Sequence, residues 1–167
     1  SRFDSQKGFD LIMDTINKVQ HLNIQIVVLG SGDMNIRNGL LYLKHIYPEK
    51  VSVWTTYNEP LSHEIYAGAD AFLMPSKFEP CGLSQIIINF SKDSLSGNGF
   101  VFDFSKGEQC VDAVINAYNV YQNQTVWNKI ISNAFSSNYS WNKSMEQYEN
   151  MYNTAVQKRT AYTIYQI

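Results

Sequence analysis

Apolar residues recur at Phe9, Ile12, Met13, Ile16 and Val19. That i, i+3, i+4, i+7 spacing lines one face of an α-helix and predicts a helix ending near His21. The period then changes. Residues 24–30 read IQIVVLG, a short β-branched run closed by glycine, which predicts a buried parallel strand. After the turn SGD, a second helix is expected from about Ile36 to Ile46, stopped by Pro48. Residues 50–57 (KVSVWTTY) alternate and predict a second strand. Pro60 sits where the first turn of a helix tolerates proline, and residues 61–68 form that helix. Residues 70–76 (DAFLMPS) predict a third strand.

The second half reads as helical. A helix over 107–121 carries Val111, Val114, Ile115 and Tyr118 on one face, and Val126, Ile130, Ile131 and Ala134 mark a shorter one. Ser140 is placed as an N-cap for a long amphipathic helix with Trp141, Met145, Tyr148, Tyr152 and Val156. The tail from Lys158 has no clear pattern. Strand, helix, strand, helix, strand with short loops implies right-handed crossovers, hence an α/β fold with a doubly wound, Rossmann-like parallel sheet.

Composition changes the picture only by exclusion. The chain has 167 residues, 44% of them hydrophobic and 17% charged, which suits one domain with one core. A net charge of -2 gives no basic footprint, so nucleic acid is not an expected partner. No apolar run approaches the ~20 residues of a membrane span. The two cysteines, Cys81 and Cys110, lack metal-site spacing, which points to a reducing, cytosol-like compartment.

In a doubly wound sheet, ligands bind at the carboxyl ends of the strands. Four loops converge there: 1–8, 30–33, 55–57 and 75–84. In the first, Arg2 and Lys7 precede a helix and Gly8 permits close backbone approach. Two cations beside a helix N-terminus suit an anion. The helix end contributes about 0.3–1 kcal/mol, whereas a cation about 4 Å from a phosphate charge contributes on the order of 4 kcal/mol at an effective dielectric of about 20. The side chains therefore decide affinity, unless they are simply solvated surface cations. Gly30 and Gly32 fit a nucleotide or a plain tight turn. Tyr57 either stacks on a nucleobase or caps the core. In FEPCGLS, Pro80 fixes the backbone and Gly82 bares N–H groups for a diphosphate, while Glu79 accepts hydrogen bonds from sugar hydroxyls. The alternative there is a strained turn with a surface glutamate.

With these residues in place, the chain resembles the carboxyl-terminal, donor-binding domain of bacterial glycogen synthases and plant starch synthases, which are glucosyltransferases of the two-domain GT-B type. The resemblance rests on SRFDSQKGFDL, LGSGD, YNEPLSHEIYAGADAFLMPSKFEPCGLSQ, GNGFVF and YSWNKSMEQYENMY, in the family's order. It covers residues 1–157 as a nucleotide-sugar-binding domain and leaves 158–167 as a tail. It implies retaining transfer of glucose from ADP-glucose, or UDP-glucose in some relatives, to the non-reducing end of an α-1,4-glucan. No metal or other cofactor is implied, and the location is the cytoplasm, or the plastid in a plant. Arg2 and Lys7 would grip the distal phosphates and stabilise the leaving diphosphate, with Gly8 beside them. Glu79 would hold the transferred glucose. Cys81, Gly82, Leu83 and Ser84 would contact sugar and phosphate, Gly30 and Gly32 would admit the nucleotide, and Tyr57 would lie near the adenine.

The chain also departs from the family. A related branch of sugar transferases carries a second glutamate eight positions after the first, where Ile87 stands here; this favours the glycogen/starch synthase reading. The family strand that precedes the Ser-Arg pair is absent, and only 13 residues separate Gln85 from Gly99, far fewer than the family has. The helical pattern stops after Ile88, which implies residues missing near Ile88 and Asn89. The glucan-binding amino-terminal domain is absent too, so this piece is expected to be inactive alone. A non-catalytic nucleotide-sugar-binding module and another retaining GT-B transferase are the competing readings.

Overall fold

The computed structural model describes residues 1–78, 87–137 and 141–164. Its first half is built on a parallel pair, β2 (Ile26–Leu29) and β4 (Val51–Trp54), in the register Ile26 to Val51 and Leu29 to Trp54. Side chains alternate across such a pair. Val28, Val51 and Val53 therefore face one way, into a core with Phe3, Phe9, Ile16, Leu40 and Leu43. On the opposite face Val27 and Trp54 are each 48% exposed.

Helix α1 (Phe9–Val19) buries Phe9, Ile16 and Val19 of the face its periodicity predicts, leaves Ile12 and Met13 half-buried, and buries Leu11 and Thr15 as well. Helix α2 (Met34–Ile46) begins where Asp33 caps it, its carboxylate accepting from the Asn35 and Ile36 N–H groups at 2.8 and 3.0 Å. Both helices pack on the same side of β2 and β4. Lys50 ties the end of α1 to the start of β4 by donating to the Gln20 and Leu22 carbonyls. The expected SGD turn contains a short strand: β1 (Arg2–Phe3) lies parallel to β3 (Ser31–Gly32).

Helix α3 (Glu59–Gly68) follows β4, capped by Asn58 with Pro60 in its first turn, and buries no residue. The expected third strand does not form. Residues 71–76 carry no ladder, and Phe72, Leu73 and Met74 are exposed. An apolar, β-prone run becomes a strand only when a neighbour satisfies its backbone groups, and no described strand lies alongside this one. The stretch is held by other contacts: Phe72 stacks on Tyr66 with centroids 4.7 Å apart, and Tyr121 donates to Asp70 at 3.2 Å.

A second, smaller core joins α4 (Gly107–Tyr121) and α5 (Gln124–Ser136) to the segment before them. Phe90 is buried against Val120, Trp127 and Ile130. Residues 87–99 form a closed loop, as the end of the helical pattern predicts, in which Phe90 N–H donates to Gly99 O at 2.8 Å and Ser91 N–H to Ser96 O at 2.9 Å. Asn133 pins the loop by donating to the Leu95 and Gly97 carbonyls at 3.0 and 2.8 Å. Thr15 Oγ1 donates to the buried Cys110 Sγ at 3.4 Å, linking α1 to α4. Burial pushes that thiol's pKa upward.

Helix α6 (Trp141–Ile164) is the long final helix, and every described side chain on it is exposed. It runs without interruption through the expected tail boundary at 157. Among the described residues, no helix is long and apolar enough to cross a membrane.

Candidate functional site

The first loop is built around Asp4. Its side chain accepts from the Lys7 N–H at 2.9 Å, capping a single 3-10 turn over Ser5–Lys7, as short acceptor side chains do at helix starts. The same carboxylate takes the Arg2 guanidinium. That hydrogen bond, followed by the one from the Lys7 backbone, holds the Asp4 carboxyl below the usual carboxylate range. Gly8 then closes the turn in the left-handed region, φ +72° and ψ 29°, with its N–H on Ser5 O at 3.3 Å. Helix α1 starts at the next residue. Arg2 and Lys7 thus flank a rigid turn that leads straight into a helix N-terminus, the arrangement their spacing predicts.

This loop is fastened to the fourth one. Lys77 N–H donates to Gln6 O at 2.8 Å, and Gln6 Nε2 donates to Phe78 O at 3.0 Å. Lys77 Nζ lies 3.5 Å from Asp10 and 5.0 Å from the Phe104 ring centre. A methyl group added to Gly8 would overlap the Pro75 carbonyl oxygen and come within 3.1 Å of the Phe104 ring. Glycine is needed for this backbone contact as well as for its φ. Residues 1–8 and 75–78 therefore meet as two walls. Glu79, Cys81, Gly82, Leu83 and Ser84, which follow the second wall, lie outside the described residues.

The second loop joins the first through the ladders. Gly30 N–H donates to Trp54 O at 3.0 Å, so the carboxyl ends of β2 and β4 lie side by side. A Cβ on Gly30 would press on the Phe3 ring and the Ser1 carbonyl, and one on Gly32 (φ +147°) would press on the Phe3 backbone. Both glycines admit the chain's own residues 1–3. Tyr57, beyond β4, is 83% exposed. It does not cap the core, which removes one of its two sequence readings. Its hydroxyl donates to Glu59 at 3.3 Å.

Sequence reasoning missed Asp4, although an acidic residue three positions before Lys7 and just ahead of a helix is an N-cap signal. It also missed Gln6 and Lys77, whose contact spans 71 positions of chain and leaves no local trace. Chemically, the described part of the site offers two cations and a helix N-terminus in the first loop and an exposed aromatic in the third.

Residues 1–87 match the family described as glycosyl transferases group 1. The glycogen synthase of Kosmotoga olearia is 37% identical over 172 residues, covering 91% of this chain and 36% of that protein. The glycogen synthase of Ligilactobacillus salivarius is 36% identical over 176 residues, covering 93% and 37%. In both cases the aligned stretch is longer than this whole chain of 167 residues, so the relatives carry residues with no counterpart here. Among solved structures, the catalytic domain of starch synthase IV from Arabidopsis thaliana, bound to ADP and acarbose, superposes with a TM-score of 0.75 at 29% identity. It covers 94% of this chain and 37% of that one. The chain thus spans about a third of the length of the proteins it matches.

Proposed function

The chain belongs to the group 1 glycosyl transferases, and on that premise we propose that it is the donor-binding domain, residues 1–157, of a retaining glucosyltransferase that extends an α-1,4-glucan from ADP-glucose. The observation that carries the reading is the junction of residues 1–8 with 75–78. It sets the Arg2 and Lys7 turn against the segment that leads into Glu79. The similar proteins are glycogen and starch synthases, and the starch synthase structure holds ADP and acarbose.

In this mechanism the diphosphate sits across the Arg2 and Lys7 turn and the start of α1, with Gly8 and Gly82 allowing backbone approach. As the glycosidic bond breaks, negative charge accumulates on the diphosphate. The fixed cations stabilise it at that moment, and stabilisation realised mainly in the transition state raises turnover more than affinity. Glu79 holds the glucose, Cys81, Leu83 and Ser84 complete the sugar and phosphate contacts, Gly30 and Gly32 border the nucleotide, and Tyr57 faces the adenine. The glucan is presented by a further domain of the whole protein, and the enzyme works in the cytoplasm or a plastid.

Calorimetry on the full-length protein with ADP-glucose, UDP-glucose and ADP, alongside glucose incorporation into glycogen, tests this. The expected result is preference for the adenine donor and incorporation by the full-length protein only. Preference for another nucleotide sugar, with no incorporation, would refute it. The relatives' extra residues favour a second reading, a binding module without catalysis. Donor binding by the full-length protein with no transfer would establish that one.

A further inference from the structure

We propose that Glu59 is a positioning residue that fixes the Tyr57 ring as the platform for the donor's base; this deepens the donor-binding reading above and rests on it. Tyr57 projects from the chain between β4 and α3, with 83% of its surface bare and its hydroxyl on the Glu59 carboxylate at 3.3 Å. An exposed aromatic side chain has little packing to restrict its rotation, and holding it still before a base arrives removes an entropy cost from binding.

Glu59 is well placed to do this because its own backbone is immobilised. The Asn58 side chain accepts from Leu61 N–H at 3.0 Å, Ser62 N–H donates to Asn58 O at 3.1 Å, and Ser62 Oγ donates to Glu59 O at 2.7 Å. Pro60 then locks the next φ. The anchor is a rigid helix start, and the anchored ring stands just past the strand end that neighbours Gly30. A base stacks on the face of such a ring, so the ring's orientation affects the nucleotide without touching the phosphates.

The test uses the full-length protein and two probes, ADP and inorganic pyrophosphate, which lacks the base. The readout is the ratio of their affinities, in which any general effect of removing a negative charge cancels. Glu59→Ala and Tyr57→Phe, which each delete one partner of the hydrogen bond, should lower the ratio by about fivefold. The double variant should be no worse than either single one. Glu59→Gln retains an acceptor oxygen and should restore most of the ratio. An unchanged ratio in Glu59→Ala, or losses that multiply in the double variant, would overturn the proposal. If the wild-type protein binds ADP and Glu59→Ala binds it equally well, this inference alone fails. If the wild-type protein does not bind ADP, the donor reading fails with it.

Discussion

Replacing Gly8 by alanine perturbs the junction on which the site depends. The left-handed backbone there, φ +72°, costs a residue with a Cβ about 1–2 kcal/mol. The added methyl cannot be accommodated by a side-chain rotation, because what it overlaps is the Pro75 carbonyl. Relief requires 75–78 to move away from 6–8, which breaks the hydrogen bonds from Lys77 N–H to Gln6 and from Gln6 to Phe78. Each is worth about 1 kcal/mol net, so the expected loss is roughly 3–4 kcal/mol, or on the order of 10 °C in Tm for a domain of this size. Urea unfolding with and without the substitution measures it. Gly68→Ala is the control: nothing lies within 4 Å of the added group and the position is helical, so this variant should gain about 0.5–1 kcal/mol. A Gly8→Ala protein as stable as the parent would refute the steric reasoning, and with it the idea that the two walls are rigidly joined.

Three other outcomes follow from the same geometry. Lys7→Ala in the full-length protein should lower turnover far more than donor affinity; equal losses in the two, from steady-state kinetics and calorimetry, would contradict stabilisation of the leaving diphosphate. Asp4 has a folded-state pKa below its unfolded one, so its stabilisation is present above the ordinary carboxylate pKa of about 3.9 and disappears as pH falls through the lower folded value. Asp4→Asn keeps a capping oxygen and should therefore differ from the parent at neutral pH but converge with it in strong acid, as read by urea midpoints across pH. Phe90→Ala empties the smaller core and should cost about 3–5 kcal/mol, with amide exchange at Phe90 and Ser91 accelerating as the 87–99 loop opens.

The legible parts of the fold were those decided locally. The apolar stripe of α1, the Pro48 stop after α2, and the β-branched runs of β2 and β4 each carry their cause within a few residues. The stretch 70–76 has the composition of a strand, yet it lies beside no described ladder, and a sequence window contains no information about a missing neighbour. The segment after Ile88 reads as loop in the sequence and is one, but its order comes from Asn133 and Trp127, nearly forty positions away, and that could not be read locally. At the candidate site, charge and proximity to a helix start suffice to nominate Arg2, Lys7 and Gly8, and the structure places all three at that start. Tyr57 stayed open between two readings until its exposure removed the core cap. The Gln6 and Lys77 fastening had no signature at all, because either residue alone is an ordinary surface side chain.

Asp4 bears on the proposed reaction cycle as well. Because its carboxylate already engages Arg2, a diphosphate bound as proposed would have to compete for that guanidinium. Under that proposal the competition would weaken binding but aid departure, since the carboxylate would recapture the cation as the spent nucleotide leaves. A transferase that repeats its reaction along a growing polymer gains from such a built-in rival, which keeps the by-product from lingering.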